Sequence, residues 1–434
     1  MISRAPGPAS RRWAAIDGAA GGLAADLALY GLSAAFAAIT AGTSTLAPHR
    51  AWGAIAWIGY AAAAVIVVGQ LIARRRAIAS VPAGTPARAT LTVLAWAATA
   101  LLPMLIQAIQ RAGGRTDRAQ EEVMVIEDGG ARLLHHGTPY LGHDAIAALP
   151  GSERLLGYLP YQPGMALFGL PRALFGTAWW TDARSWFTVV TAVALALSVG
   201  VLRPFVSRAV LVRAVQAATV LPLCALTLAT GGDDLPVLAL CLLALALCAR
   251  SRFGAAGLAV GVAGALKLFA WPVALVLLAH AARRRGWPGA ATFAAGALGL
   301  PIAAIVPAGL VDPDAAVENV VRFPLGRGLV ASPAQSPFPG HAIATGLPDG
   351  RVLAGALLVA AGLVIGVALV RWPPRTAASA AVFCAYGLLA AILLTPSSRF
   401  GYLLYPVAFL AWAPALRVPN PGTGPAAGVR IAYT

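Results

Sequence analysis

The sequence predicts an all-α fold, a polytopic bundle of membrane helices. Three observations carry that prediction. The 434 residues are 59% hydrophobic and only 11% charged, where a soluble domain carries about 25% charged residues. Apolar runs of about 20 residues recur along the chain, the length that crosses the hydrocarbon core as a helix. Most charged residues lie at the ends of those runs or in two long intervening segments. The 46 glycines and 32 prolines do not argue against helices, because neighbouring helices and waters satisfy the backbone groups that such residues free within a membrane.

Taken in order, the apolar runs are 19–42, 52–73, 89–108, 184–202, 209–230, 234–249, 254–266, 268–282, 288–306, 351–370, 377–395 and 400–416. At ordinary span length they predict about 10 to 12 membrane segments. The first run is expected to stay as a span, being too long for a cleaved leader and lacking a clear small-residue cleavage site. Runs 254–266 and 268–282 are short and lie between Arg250 and Arg252 on one side and Arg283, Arg284 and Arg285 on the other. They predict two half-depth helices that enter and leave on one face. Residues 1–88 are expected to form a cytoplasmic N-terminus with two additional helices, 89–416 a core, and 417–434 a cytoplasmic tail.

The Lys/Arg bias sets the expected orientation. With Arg4, Arg11 and Arg12 in the cytoplasm, that side also holds Arg74, Arg75, Arg76, Arg88, Arg203, Arg208, Arg213, Arg371 and Arg375. All carboxylates except Asp17 and Asp26 then fall outside. Two long segments, 109–183 and 307–350, become extracytoplasmic loops, so any chemistry is expected on the outer face of a cell membrane. Nucleotide donors are not available there, and no G-x-x-x-x-G-K-[ST] loop occurs. The formal charge of +16 does not signal nucleic acid, since the arginines are scattered at helix ends. Cys224, Cys241, Cys248 and Cys384 all fall in apolar runs and read as packing residues rather than ligands or disulfides.

Several residues stand out as carriers of chemistry. Asp117, Glu121, Glu122, Glu127 and Asp128 cluster just after a membrane exit. Such a cluster can supply a general base for a hydroxyl nucleophile, although most surface carboxylates are only solvated. Tyr158, Tyr161, Phe168 and Phe175, punctuated by Pro160, Pro163 and Pro171 and followed by Trp179, Trp180 and Trp186, predict a short amphipathic helix or helix-turn at the membrane surface. Lys267 is the single lysine of the chain and sits at the junction of the two half-depth helices. An ionisable group at membrane depth is costly; this one either holds a lipid phosphate as a point charge or snorkels to the interface.

Arg399, Arg322 and Arg327 are candidates for the same phosphate, since a guanidinium matches phosphate oxygens in pairs. The D-x-D of Asp312 and Asp314 reads as a helix cap followed by an N-terminal proline more readily than as a metal site. His135, His136 and His143 have no zinc-ligand spacing.

Five stretches in this order carry a resemblance. They are the acidic cluster with L-L-x-x-G-x-P-Y at Leu133–Tyr140, Y-x-P-Y-x-P-G at Tyr158–Gly164, GGDDLP at Gly231–Pro236, AGLAVGVAGALKLFAWP at Ala256–Pro272, and SSRFGYLLYP at Ser397–Pro406. Over residues 89 to 416 the chain resembles the GT-C superfamily of membrane glycosyltransferases, in particular glycosyltransferase family 87. That family includes actinobacterial mannosyltransferases that use polyprenyl-phosphate-mannose.

The resemblance implies an inverting, metal-independent transfer of a sugar from a polyprenyl-phosphate donor to a lipid or glycolipid acceptor. No cofactor is implied, and the only other partners are membrane lipids. The family's base is an Asp about eighteen residues before the Pro-Tyr tyrosine. Counting back from Tyr140 reaches Glu122, with Glu121 beside it and Asp117 the next candidate. Lys267, Arg399, Arg322 and Arg327 would hold the donor phosphate. Tyr140, Tyr158, Tyr161, Asp233 and Asp234 would contact substrate. Two other readings share the bundle and its basic residues: a transporter or flippase for a lipid-linked sugar, and a non-catalytic relative.

Overall fold

An apolar run in lipid has to satisfy its backbone within itself, and a helix does so. The computed structural model, which describes residues 18–418, consists of helices joined by turns and loops; the only strand pairing among the described residues is a single bridge between Gln335 and Ser398. The expected cytoplasmic anchors Arg4, Arg11 and Arg12, Asp17, and all but the first two residues of the expected tail 417–434 lie outside the described residues. Among the described residues seven helices are long and apolar enough to span a bilayer, and one bent pair raises that to eight. The protein is a multi-pass membrane bundle.

The helices are α1 (Leu23–Thr43), α2 (Ala47–Arg75), α3 (Thr85–Ala112), α4 (Glu121–His136), α5 (Ala183–Leu202), α6 (Arg208–Thr219), α7 (Pro222–Thr230), α8 (Asp234–Ala249), α9 (Phe253–Leu266), α10 (Ala270–Val311), α11 (Gly350–Arg371), α12 (Ala377–Leu394) and α13 (Leu404–Trp412). Three departures from the sequence expectation have physical causes. The expected span 209–230 is bent by 44° between α6 and α7, because Pro222 drives Leu221 into an extended conformation (ψ 131°). Runs 268–282 and 288–306 join as α10, interrupted at Gly286 with φ 63°. A continuous helix of 42 residues would be about 63 Å long, twice the hydrocarbon core, and glycine takes this left-handed conformation at little cost. The run 400–416 was expected to span. Instead it becomes a 3₁₀ turn, Phe400–Leu403, followed by the nine residues of α13, too short to cross.

The hairpin α1–α2 is bound closely into the core. Pro103 cannot donate to Thr99, and the Trp52 indole of α2 donates to the Thr99 carbonyl instead, at 2.7 Å. Similarly, the Tyr60 hydroxyl donates to the Val220 carbonyl at the α6–α7 bend, 2.6 Å away. At the opposite end, buried Asp26 of α1 accepts from Arg88 of α3 at 2.6 Å and pairs with Arg213 of α6 at 3.1 Å. Helices α9 and α10 approach through glycines: a Cβ at Gly257 or Gly261 would run into the carbonyls of Phe293 and Gly296. Small residues four apart permit such contact between membrane helices.

The two long segments form a loop-rich face. In the first, Glu127 is buried and ties three elements together. It pairs with Arg111 of α3 at 2.6 Å and with Arg172 at 3.1 Å, and accepts from the Ala183 N–H that opens α5 at 3.1 Å. Asp182 joins the network through Arg111 and Arg184, at 3.1 and 2.8 Å. Glu127→Leu therefore removes the buried carboxylate shared by Arg111 and Arg172, leaving Arg111 only Asp182. It is expected to cost about 3–5 kcal/mol, seen as a lowered melting temperature of the purified protein, whereas Glu121→Gln leaves the melting temperature unchanged.

In the second loop, Asp312 caps a short helix by accepting from the Ala315 N–H at 2.9 Å, as the proline after it suggested. Glu318 then clasps the two loops. It accepts from Tyr158 at 2.8 Å and lies 3.4 Å from His143 and 3.3 Å from Arg322. Burial works to raise the Glu318 carboxyl, but the bonds from Tyr158, His143 and Arg322 outweigh it and hold it below the usual range.

The stretch expected at the membrane surface does form a helix-turn, Pro163–Gly169 and Leu170–Phe175. Its aromatics divide. Tyr158 and Tyr161 are buried inward, whereas Phe175, Trp179 and Trp180 stay exposed.

Candidate active site

The site is built where the ends of six helices meet. Helix α4 begins at Glu121 with Gln120 before it, and the Gln120 N–H donates to the Thr230 carbonyl at the end of α7 at 2.9 Å. That bond fixes the first turn of α4, and with it Glu121 and Glu122, against the core. Carboxylates on a first helical turn are favoured by the exposed N–H groups there. The chain leaves α7 through Gly231 and Gly232; Gly232 has φ 88°, and a Cβ on it would press on the Phe187 ring. This tight turn sets Asp233 and Asp234 at the start of α8. Lys267 is extended between α9 and α10 (φ −152°, ψ 142°), and the Gln162 N–H of the Tyr158–Pro163 stretch satisfies the Leu266 carbonyl before it, at 3.1 Å. Arg399 and Tyr402 come from the turn before α13.

These residues line two chambers. The larger, about 1170 Å3, is walled by Gln120, Glu121, Glu122, Asp233, Asp234, Lys267, Arg399 and Tyr402, and further along by apolar side chains of α1 and α7. The smaller, about 260 Å3, lies under the second loop and is lined by Tyr158, Phe323, Pro324 and Ile392. Glu121, Glu122, Tyr161, Lys267, Arg399 and Tyr402 face both, so the chambers meet at the charged residues.

Two sets of charges organise the junction. Arg399 is ion-paired with Glu122. Buried Lys267 donates to Asp233 at 2.8 Å and to Asp234 at 2.6 Å, and Asp234 also accepts from the Tyr405 hydroxyl at 2.8 Å. The ammonium sits 5.0 Å from the Tyr161 ring centre and 5.3 Å from that of Tyr402. An ammonium has three N–H donors, and the two aspartates take two. The sequence offered a lipid phosphate or bare snorkelling as the fate of Lys267. Its protein partners turn out to be the GGDDLP aspartates, 33 and 34 residues away.

The other sequence candidates separate. Asp117 lies outside both chambers, clamped at the surface by Arg115 and Arg118 at 3.0 and 2.6 Å. The Arg115 hydrogen bond holds its carboxyl down at about 2, which makes it a poor proton acceptor. Arg322 is paired with Glu318, and neither it nor Arg327 lines the chambers; that part of the expected phosphate clamp is not assembled. Tyr140 stands behind the site, its hydroxyl donating to the Tyr161 carbonyl at 2.8 Å. Tyr158 reaches the small chamber while stacked on Phe323, ring centres 4.1 Å apart.

Gln120, Tyr402 and Tyr405 were missed as site residues. The two tyrosines lay within the SSRFGYLLYP stretch; Gln120 carried no sequence signal. Among the described residues no group of three or more His, Cys, Asp or Glu side chains is placed to hold a metal ion.

No curated protein matches the chain. Two solved structures do, both of ArnT from Cupriavidus metallidurans. The one bound to undecaprenyl phosphate has a TM-score of 0.47 at 16% identity, covering 74% of this chain and 59% of that one. The apo form has a TM-score of 0.44 at 16% identity, covering 68% and 54%. The chain thus spans less than two thirds of those structures. The model of glycosyltransferase family 87 matches residues 158–396, a stretch that contains Asp233, Asp234 and Lys267 and makes up more than half of the sequence, and on that match the protein is a member of glycosyltransferase family 87.

Proposed function

We propose that the protein transfers a sugar, mannose, from a polyprenyl-phosphate donor to the hydroxyl of a lipid or glycolipid acceptor, on the extracytoplasmic face and with inversion. The observation that carries this reading is the meeting of two chambers at paired carboxylates and cations, in a family 87 membrane bundle. Glu122 takes the acceptor hydroxyl proton. The acceptor oxygen bonds to the anomeric carbon as the carbon–oxygen bond to phosphate breaks, and the electron pair leaves with the polyprenyl phosphate. Arg399 and the third N–H of Lys267 stabilise the charge that grows on that phosphate. A lipid phosphate leaves readily, so no covalent sugar–enzyme intermediate is needed.

The test is an assay of the purified protein with polyprenyl-phosphate-mannose and a panel of lipid acceptors. Glycosylated lipid and free polyprenyl phosphate should appear in equal amounts. Donor binding without transfer to any acceptor, together with movement of intact donor across vesicles, would instead show a transporter. The face of the membrane is tested separately. The four native cysteines are buried, so labelling reports engineered sites cleanly. An impermeant maleimide added outside is expected to reach Gly142→Cys and not Arg76→Cys, and the reverse pattern would place the site in the cytoplasm.

A further inference from the structure

The large chamber has an apolar half that the proposed chemistry does not use. Leu29, Leu32, Ser33 and Phe36 of α1 line it, facing Leu223 and Leu226 across from the hairpin. Their spacing of three, four and seven residues puts them on one face of α1, a strip about 10 Å long at helical rise. Leu32 and Phe36 are lining residues, yet they are 74% and 46% exposed. Both lie midway along a helix long and apolar enough to cross a bilayer, so this wall of the chamber is accessible at the depth of the hydrocarbon. This wall belongs to the N-terminal hairpin, which lies outside the family match.

The two chambers also differ in charge. The large one is lined by Glu121, Glu122, Asp233 and Asp234 against Lys267 and Arg399. The small one has the same two cations but lacks the aspartates. A phosphate is repelled by the more acidic chamber and enters better from the balanced one. A head bearing hydroxyls without charge is suited to carboxylates that accept hydrogen bonds.

We infer that the hairpin α1–α2 forms the lipid-chain subsite of the acceptor, and that this acceptor is an uncharged, hydroxyl-bearing membrane lipid entering sideways past Leu32 and Phe36. The inference rests on the proposed transferase reading and adds to it which chamber each substrate occupies. Chain burial along α1 would guide the head toward Glu122, while the donor phosphate reaches Arg399 and Lys267 from the small chamber.

The experiment is photolabelling of the full-length protein in detergent, which needs no turnover. Two probes carry the same diazirine acyl chain, one on a glucosyl diacylglycerol and one on phosphatidylglycerol. The glucosyl probe is expected to label residues 23–49 saturably. Leu29→Trp and Leu32→Trp, which fill the chamber, should reduce that saturable labelling at least tenfold while undecaprenyl-phosphate affinity stays within twofold. The milder Leu29→Phe and the wild-type labelling map serve if a tryptophan variant does not fold. Equal labelling by the phosphatidylglycerol probe, no saturable labelling of the hairpin, or displacement of the glucosyl probe by undecaprenyl phosphate with lost affinity in the filled variants would each overturn the assignment. Saturable labelling by a protein that transfers no sugar would overturn the transferase reading alone.

Discussion

Glu122→Gln is expected to lower sugar transfer by about 100- to 10,000-fold, the usual loss when a general base is removed, while polyprenyl-phosphate binding holds or tightens. The second half of that expectation comes from the ion pair with Arg399. A guanidinium that pairs with Glu122 has to share itself with an incoming phosphate, and the neutral amide ends the competition. The amide keeps the shape of the side chain, and the Gln120–Thr230 bond still fixes the first turn of α4, so the loss reports proton transfer rather than folding. Transfer rate and phosphate affinity are measured on the same preparation. Glu121 is the internal control. It faces the same two chambers and is the more exposed of the pair. Full activity in Glu122→Gln with loss in Glu121→Gln would move the base by one residue. Weaker phosphate binding in Glu122→Gln would show that Arg399 does not contact the donor.

The bundle was legible in the sequence because lipid leaves an apolar run little choice but a helix. What the sequence hid was length and bending. The α6–α7 bend was signalled by Pro222, yet nothing local separates a proline that kinks a span from one that a neighbour accommodates; here Tyr60, 160 residues away, takes up the freed carbonyl. The site was legible residue by residue and not in its pairing. Lys267 stood out as the single lysine and Asp233–Asp234 as part of a motif, but their ion pair is a contact between helix ends that no periodicity encodes. The five acids of the first loop looked alike in sequence. Burial sorts them: Glu127 braces three elements, Asp117 is held at the surface, Asp128 faces outward, and Glu121 and Glu122 alone reach the chambers. Arg322 was indistinguishable from Arg399 until Glu318 was seen beside it.

Lys267→Ala is expected to impair both donor binding and turnover, with turnover falling by at least about 100-fold. Two effects combine. The third N–H, which we propose contacts the phosphate, is lost, and that contact would matter most in the transition state, where the phosphate gains charge. Asp233 and Asp234, both nearly buried, also lose the cation that neutralises them and then repel the donor. The effects can be separated. In Lys267→Ala with Asp233→Asn and Asp234→Asn the repulsion is gone while the donor contact is still missing. If the ammonium touches phosphate, this triple variant recovers donor affinity in part and leaves turnover low. If Lys267 serves only to neutralise the aspartates, the triple variant recovers both. Lys267→Arg gives a third reading. A planar guanidinium pairs well with one carboxylate but does not direct three N–H groups from a single point, so it should preserve the melting temperature and restore only part of the turnover. Wild-type kinetics in Lys267→Ala would remove the lysine from the mechanism and leave the leaving phosphate to Arg399.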